Sequence, residues 1–255
     1  MTGDAAVLTA EARFPYGARW AEEPLRSSVK IQGDGRTASV ELQGPAGRLE
    51  GLYDLPEGPV RAAAVVCHPH PLHEGTMRNT IVYRAARALR GAGIATLRVN
   101  FRGVEGSEGE HDGNGAEEGD VSVALDFLAE RHPGRPLWGA GYSFGSRTVA
   151  GLATHQERIA RVILIAFPIS AYDCSFLTDV GQPGLLVFGG GDPYGTLTEL
   201  AQQFPSLPER FALEEVPGAD HFFKGRTPLL EQAIHDYALE AIEHDDPSDS
   251  RSRNA

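Results

Sequence analysis

Residues 136–153 read Pro-Leu-Trp-Gly-Ala-Gly-Tyr-Ser-Phe-Gly-Ser-Arg-Thr-Val-Ala-Gly-Leu-Ala. Pro136 to Tyr142 is an apolar run of strand length, and Phe144 to Ala153 has the spacing of a buried helix. At the junction, Gly141-Tyr142-Ser143-Phe144-Gly145 fits the pattern G-x-S-x-G. A serine on so abrupt a strand-to-helix turn projects beyond the sheet edge, and small flanking residues let strand and helix approach. The Phe144 N–H, at the helix start, points at the same spot and can stabilise an oxyanion. Ser143 is the candidate nucleophile; the plain alternative is a glycine-rich structural turn.

The same alternation extends both ways. Upstream lie an apolar run, Ala62 to Cys67, helical spacing over Ile81 to Arg90, and a strand over Ile94 to Phe101. A Gly-rich loop from Arg102 to Gly115 follows, then a helix face at Val121, Leu125 and Leu128. Downstream come strands at Arg161 to Phe167, Gly184 to Phe188 and Arg210 to Val216, and an amphipathic helix over Pro228 to Ile242. Continuous apolar strands alternating with helices predict an α/β fold, a mostly parallel sheet with helices on both faces. Thr37 to Gln43 and Arg48 to Leu55, around Gly44-Pro45-Ala46-Gly47, predict an antiparallel hairpin at one edge. The expected organisation is an irregular N-terminal segment over 1–36, one domain over 37–244 and a flexible tail over 245–255.

Composition narrows the classes. The chain has 255 residues, 41% hydrophobic, and a formal charge of −12 from 23 basic and 35 acidic side chains. So acidic a chain repels nucleic acid and anionic membrane surfaces, and no basic patch offsets this. No apolar stretch approaches the ~18 residues of a membrane span. Met1 to Glu11 lacks a signal-peptide pattern. Cys67 and Cys174 are too few for a disulfide framework. These features predict a cytoplasmic protein with neither nucleic-acid nor membrane partners. A homodimer is an expectation on general grounds alone.

A serine hydroxyl needs a base and an orienting acid, carried downstream in the order Ser, Asp or Glu, His. Leu185 to Phe188 ends at Gly189-Gly190-Gly191-Asp192, and the next strand is followed by Pro217-Gly218-Ala219-Asp220-His221-Phe222-Phe223. Asp192 and His221 are the candidates. Asp173 is the competing acid, and Asp220, next to the base, suits turn capping instead. His132, His155, His235 and His244 read as surface residues.

Cys67-His68-Pro69-His70-Pro71-Leu72-His73-Glu74-Gly75 admits two readings. His68, His70 and His73 approach the H-x-H-x-D-H zinc pattern of metallo-β-lactamase-like hydrolases, but Leu72 replaces the aspartate. The other reading is a loop supplying a second oxyanion N–H. Pro69 and Pro71 have none to give, which leaves His70 or Leu72, with His70 favoured by its offset from the strand end.

Together these residues resemble the α/β-hydrolase superfamily. More narrowly they resemble small bacterial serine hydrolases with an H-P-H-P loop, carboxylesterase- or dienelactone-hydrolase-like. The matching segments are His68 to Pro71 with Gly75-Thr76-Met77, Asn100 to Gly103 with Gly106-Ser107, Gly141 to Gly145, Gly191-Asp192, and Gly218 to Phe223. The resemblance implies a Ser143–Asp192–His221 triad, oxyanion donors at Phe144 and His70, and neither metal nor cofactor. Glu74 departs from the small residue common in such loops and adds negative charge beside the site. The short connection between Phe167 and Leu185 leaves no room for a cap domain. Leu72, Tyr142, Tyr194 and Phe222 are the expected substrate-pocket residues. The expected function is hydrolysis of small to medium acyl esters through an acyl-enzyme. Thioesterase or small-peptidase activity, a His68/His70/His73 metal-dependent hydrolase, and a non-catalytic binding protein are the alternatives.

Overall fold

A computed structural model describes residues 28–32 and 37–245. Among these residues nine strands form one sheet in the order β1-β2-β3-β5-β4-β6-β7-β8-β9. The first three are β1 (Ser28–Gln32), β2 (Thr37–Gly44) and β3 (Gly47–Asp54), followed by β4 (Ala62–Cys67) and β5 (Ile94–Val99). The rest are β6 (Leu137–Tyr142), β7 (Ile159–Ile165), β8 (Gly184–Gly189) and β9 (Phe211–Val216). β1 to β3 pair antiparallel, and β3 joins β5 antiparallel. Every pairing from β5 through β4 to β9 is parallel.

The expectation of an irregular segment over 1–36 is corrected at β1, which pairs with β2 from Ser28↔Glu41 to Gln32↔Thr37. The remainder of that segment, and the tail beyond Asp245, lie outside the described residues. Asp245 itself ends a helix and ion-pairs with Arg161 at 2.7 Å, so it is not part of a free tail.

Among the described residues five α-helices cover the sheet: α1 (Thr80–Gly91), α2 (Glu117–Arg131), α3 (Phe144–Ala153), α4 (Leu197–Gln203) and α5 (Thr227–Asp245). Side chains alternate across a strand, and the core divides accordingly. Ala63, Val65, Leu97 and Val99 pack with Val121, Leu125 and Val149 of α2 and α3. Ala64, Val66, Ile94 and Trp138 pack with Val82, Leu89, Leu230 and Ile234 of α1 and α5. Local signals start the helices. Asn79 Oδ1 accepts from Ile81 N–H at 2.8 Å at the head of α1, and Thr196 and Glu199 form a reciprocal capping box on α4. Because β4, β5, β6, β8 and β9 run parallel, the loops leaving them collect at one edge of the sheet.

Candidate active site

β6 turns into α3 through Ser143, whose φ of 53° and ψ of −116° lie outside the regions a serine ordinarily adopts. Two contacts make the neighbouring glycines obligatory. A Cβ on Gly141 would lie 2.2 Å from Gly145 O, and one on Gly145 would lie 2.5 Å from His68 O. The turn is fixed by Ser143 N–H donating to Ile165 O of β7 at 2.9 Å. Strain of this kind costs about 1–3 kcal/mol and persists only where the surroundings enforce it.

His221, in the turn after β9, brings Nε2 to 3.0 Å from Ser143 Oγ, and its Nδ1 lies 2.7 Å from Asp192 Oδ2. Asp192 is buried just past β8, and its other oxygen accepts from Tyr194 N–H at 2.8 Å. Both carboxylate oxygens are thereby engaged. The network assigns the Nδ1–H tautomer to His221, with the Nε2 lone pair facing the serine hydroxyl. Asp220 Oδ1 accepts from the N–H groups of Phe222 and Lys224, the turn-capping role expected of it. Asp173 instead caps its own turn, accepting from Ser175 N–H at 3.0 Å.

The expected pocket residues divide. Leu72, Tyr194 and Phe222 are exposed, and the rings of Tyr194 and Phe222 stand 4.7 and 5.5 Å from the His221 ring. Tyr142 is not a pocket residue. It is 2% exposed, faces the α1–α5 side of the sheet, and its hydroxyl donates to His221 O at 3.0 Å. Strand alternation sends its side chain behind the serine, where it braces the histidine turn.

In the loop after β4, His68 is fully buried. Phe101 N–H donates to its Nε2 at 3.0 Å, and its Nδ1 lies 2.6 Å from Pro69 O. With both ring nitrogens engaged it has no lone pair free for a metal, which removes one ligand from the zinc reading. Burial pushes its pKa down to about 4. Leu72 N–H donates to His70 Nδ1 at 3.2 Å. Of the two N–H groups left open by the prolines, only that of His70 is therefore uncommitted. A Cβ on Gly75 would sit 2.0 Å from Pro69 O, so the loop closes only with glycine there. Burial, together with the neighbouring rings of His111 and His73, holds the His70 imidazole below the ordinary histidine value.

Three further features carried little or no sequence signal. Asn100 accepts from Met77 N–H and donates to Glu50 and Glu105, tying the loop after β5 to β3 and to the head of α1. Arg102 and Asp120 form a buried ion pair at 2.7 Å. His111 lies 2.7 Å from Glu117, which is fully buried. Asn100, Arg102 and Met77 fall in segments that carry the family resemblance, whereas His111, Glu117 and Asp120 do not. A cleft of about 460 Å³ opens between α1 and α5, lined by Arg84, Arg87, Glu231 and His235 among others. None of its lining residues belongs to this site.

The chain belongs to the alpha/beta hydrolase family: the alpha/beta hydrolase domain model matches residues 63–243. An uncharacterised protein of Rickettsia prowazekii (strain Madrid E) is 34% identical over 209 residues, 78% of this chain and 88% of the relative. Among solved structures, an alpha-beta serine hydrolase homologue from Coxiella burnetii is 32% identical. That match covers 78% of this chain and 96% of the other, with a TM-score of 0.73. The lidless a/b serine hydrolase XC6422 from Xanthomonas campestris is 31% identical, covering 82% and 96%, with a TM-score of 0.74. Fold and family make this chain a hydrolase, and among the described residues no cap domain is inserted between the strands.

Proposed function

We propose that the protein is a serine carboxylesterase acting on small to medium acyl esters, independent of any cofactor and working in the cytoplasm. The observation that carries the reading is the continuous chain from Ser143 Oγ to His221 Nε2 (3.0 Å) and from His221 Nδ1 to Asp192 Oδ2 (2.7 Å). His221 takes the serine proton as Oγ attacks the acyl carbonyl, while Asp192 holds the tautomer and stabilises the imidazolium. Charge developing on the carbonyl oxygen meets the Phe144 N–H, which as a first-turn group has no intrahelical acceptor, and the His70 N–H. His221 then gives its proton to the leaving alcohol. Water, deprotonated by the same imidazole, attacks the acyl-enzyme and releases the acid and Ser143.

Exposed Leu72, Tyr194 and Phe222 offer apolar surface for an acyl or alcohol group of modest size. The measurement is turnover of p-nitrophenyl esters from acetate to decanoate by wild type, Ser143→Ala, and wild type with EDTA. Serine esterase chemistry predicts that Ser143→Ala loses at least about four orders of magnitude in kcat. EDTA has no effect, and the optimum lies at short to medium chains. Loss with EDTA and survival of the alanine variant would contradict the reading. Turnover of thioesters or peptides alone would keep the nucleophile and replace the substrate class.

A further inference from the structure

The two oxyanion donors of the proposed mechanism come from different segments, the loop after β4 and the first turn of α3. Their side chains meet, with the His70 and Phe144 rings 5.1 Å apart. A third ring closes on both. His111, in the loop after β5, lies 4.8 Å from the His70 ring and 5.4 Å from the Phe144 ring.

His111 is held more firmly than a loop residue ordinarily would be. Its Nδ1–H donates to Glu117 Oε1 at 2.7 Å, and the same oxygen accepts from Asp112 N–H at 2.9 Å. Glu117 is the first residue of α2, where the helix dipole favours a carboxylate. Its side chain has no exposure, and that of His111 has only 10%. Left-handed glycines at 103 and 109 before this position and at 113 and 115 after it shape the loop. Gly103 also allows close packing, since a Cβ there would lie 3.1 Å from His111 N. His111 makes no hydrogen bond to Ser143, Asp192 or His221 among the described residues.

We propose that His111, pinned by Glu117, is a positioning residue that holds the His70 and Phe144 oxyanion donors at their mutual spacing. The inference rests on the serine-hydrolase reading. Oxyanion stabilisation depends on donors standing about 2.7–3.1 Å from the developing charge, so a shift of either ring-bearing segment weakens it. Substrate binding in the ground state draws little on those donors.

The test is steady-state hydrolysis of p-nitrophenyl butyrate by the full chain, paired with inhibition by an alkyl trifluoromethyl ketone whose hemiketal oxyanion uses the same donors. For His111→Ala the expected result is a kcat lower by about 10-fold, with KM within about twofold of wild type. Ki for the ketone should rise by a factor close to the loss in kcat. His111→Phe, which keeps the two ring contacts but not the hydrogen bond to Glu117, should recover part of both losses. Should the alanine variant fail to fold, His111→Leu, which fills volume without a ring face, takes its place. Wild-type kcat and Ki in the ringless variant, a loss of kcat with Ki unchanged, or no recovery in His111→Phe would each overturn the proposal. The serine reading fails separately, if Ser143→Ala retains turnover.

Discussion

At the residue scale, the site depends on side chains whose hydrogen-bonding states are fixed by burial. His68 is the clearest case, because Phe101 N–H requires a neutral Nε2 as its acceptor. In the unfolded chain a histidine takes up its proton near pH 6.5, whereas folded His68 does so only near 4. Between those values the unfolded state binds more protons, so stability is lost as the pH falls through that window, by about 3 kcal/mol in full. Above pH 6.5 this group contributes no pH dependence. Urea unfolding from pH 4 to 8 should show that slope in wild type. It should flatten in His68→Gln, whose side-chain oxygen can accept from Phe101 without titrating; an unchanged slope would refute the assignment. Ser143, Asp192 and His221 were legible in the sequence because each follows a strand end, and the parallel sheet brings those ends together. Tyr142 was misread because its place in G-x-S-x-G suggested proximity to substrate, whereas strand alternation turns it to the opposite face. His111 and Glu117 gave no signal, since nothing in local sequence says that a loop histidine will meet a helix-start glutamate.

Among the elements, the connection from β5 to α2 is held by hydrogen bonds to distant parts of the chain. Arg102 anchors it. Its guanidinium donates to both oxygens of Asp120 and to Ala116 O, and its backbone N–H also donates to Asp120. The carboxylate is fully buried, so Arg102→Ala removes its charged partner, leaves it the backbone N–H of residue 102, and should cost about 3–5 kcal/mol in urea unfolding. Replacing the pair together, Arg102→Met with Asp120→Leu, should cost much less. Equal losses would mean that the bond geometry itself, rather than the stranded charge, sets the stability. The parallel strands and their helices were readable because long apolar runs and helical spacing are local features. β1 was not: Ser28–Gln32 is short, and its order depends on pairing with β2, a partner that local propensity does not reveal.

At the scale of the molecule, the short connection from β7 to β8 carries only a 3-10 turn, Ser175–Asp179, where other hydrolases insert a cap. Nothing in this region has to open, so the rate on a short-chain ester should rise smoothly through its critical micelle concentration; a jump there would contradict a lidless site. Among the described residues no helix is long and apolar enough to cross a membrane. The overall topology followed from the order of strands and helices, while substrate preference depends on how exposed loops meet and was not written in any one segment. In the proposed mechanism Ser143, activated by His221, is the nucleophile. The most direct test is intact-mass and peptide mapping after reaction with a fluorophosphonate ester, on wild type, Ser143→Ala and His221→Ala. The expected result is one phosphonyl group per chain, located on Ser143, absent from Ser143→Ala and formed far more slowly in His221→Ala. Labelling at another residue, or equal labelling of the Ser143→Ala variant, would contradict it.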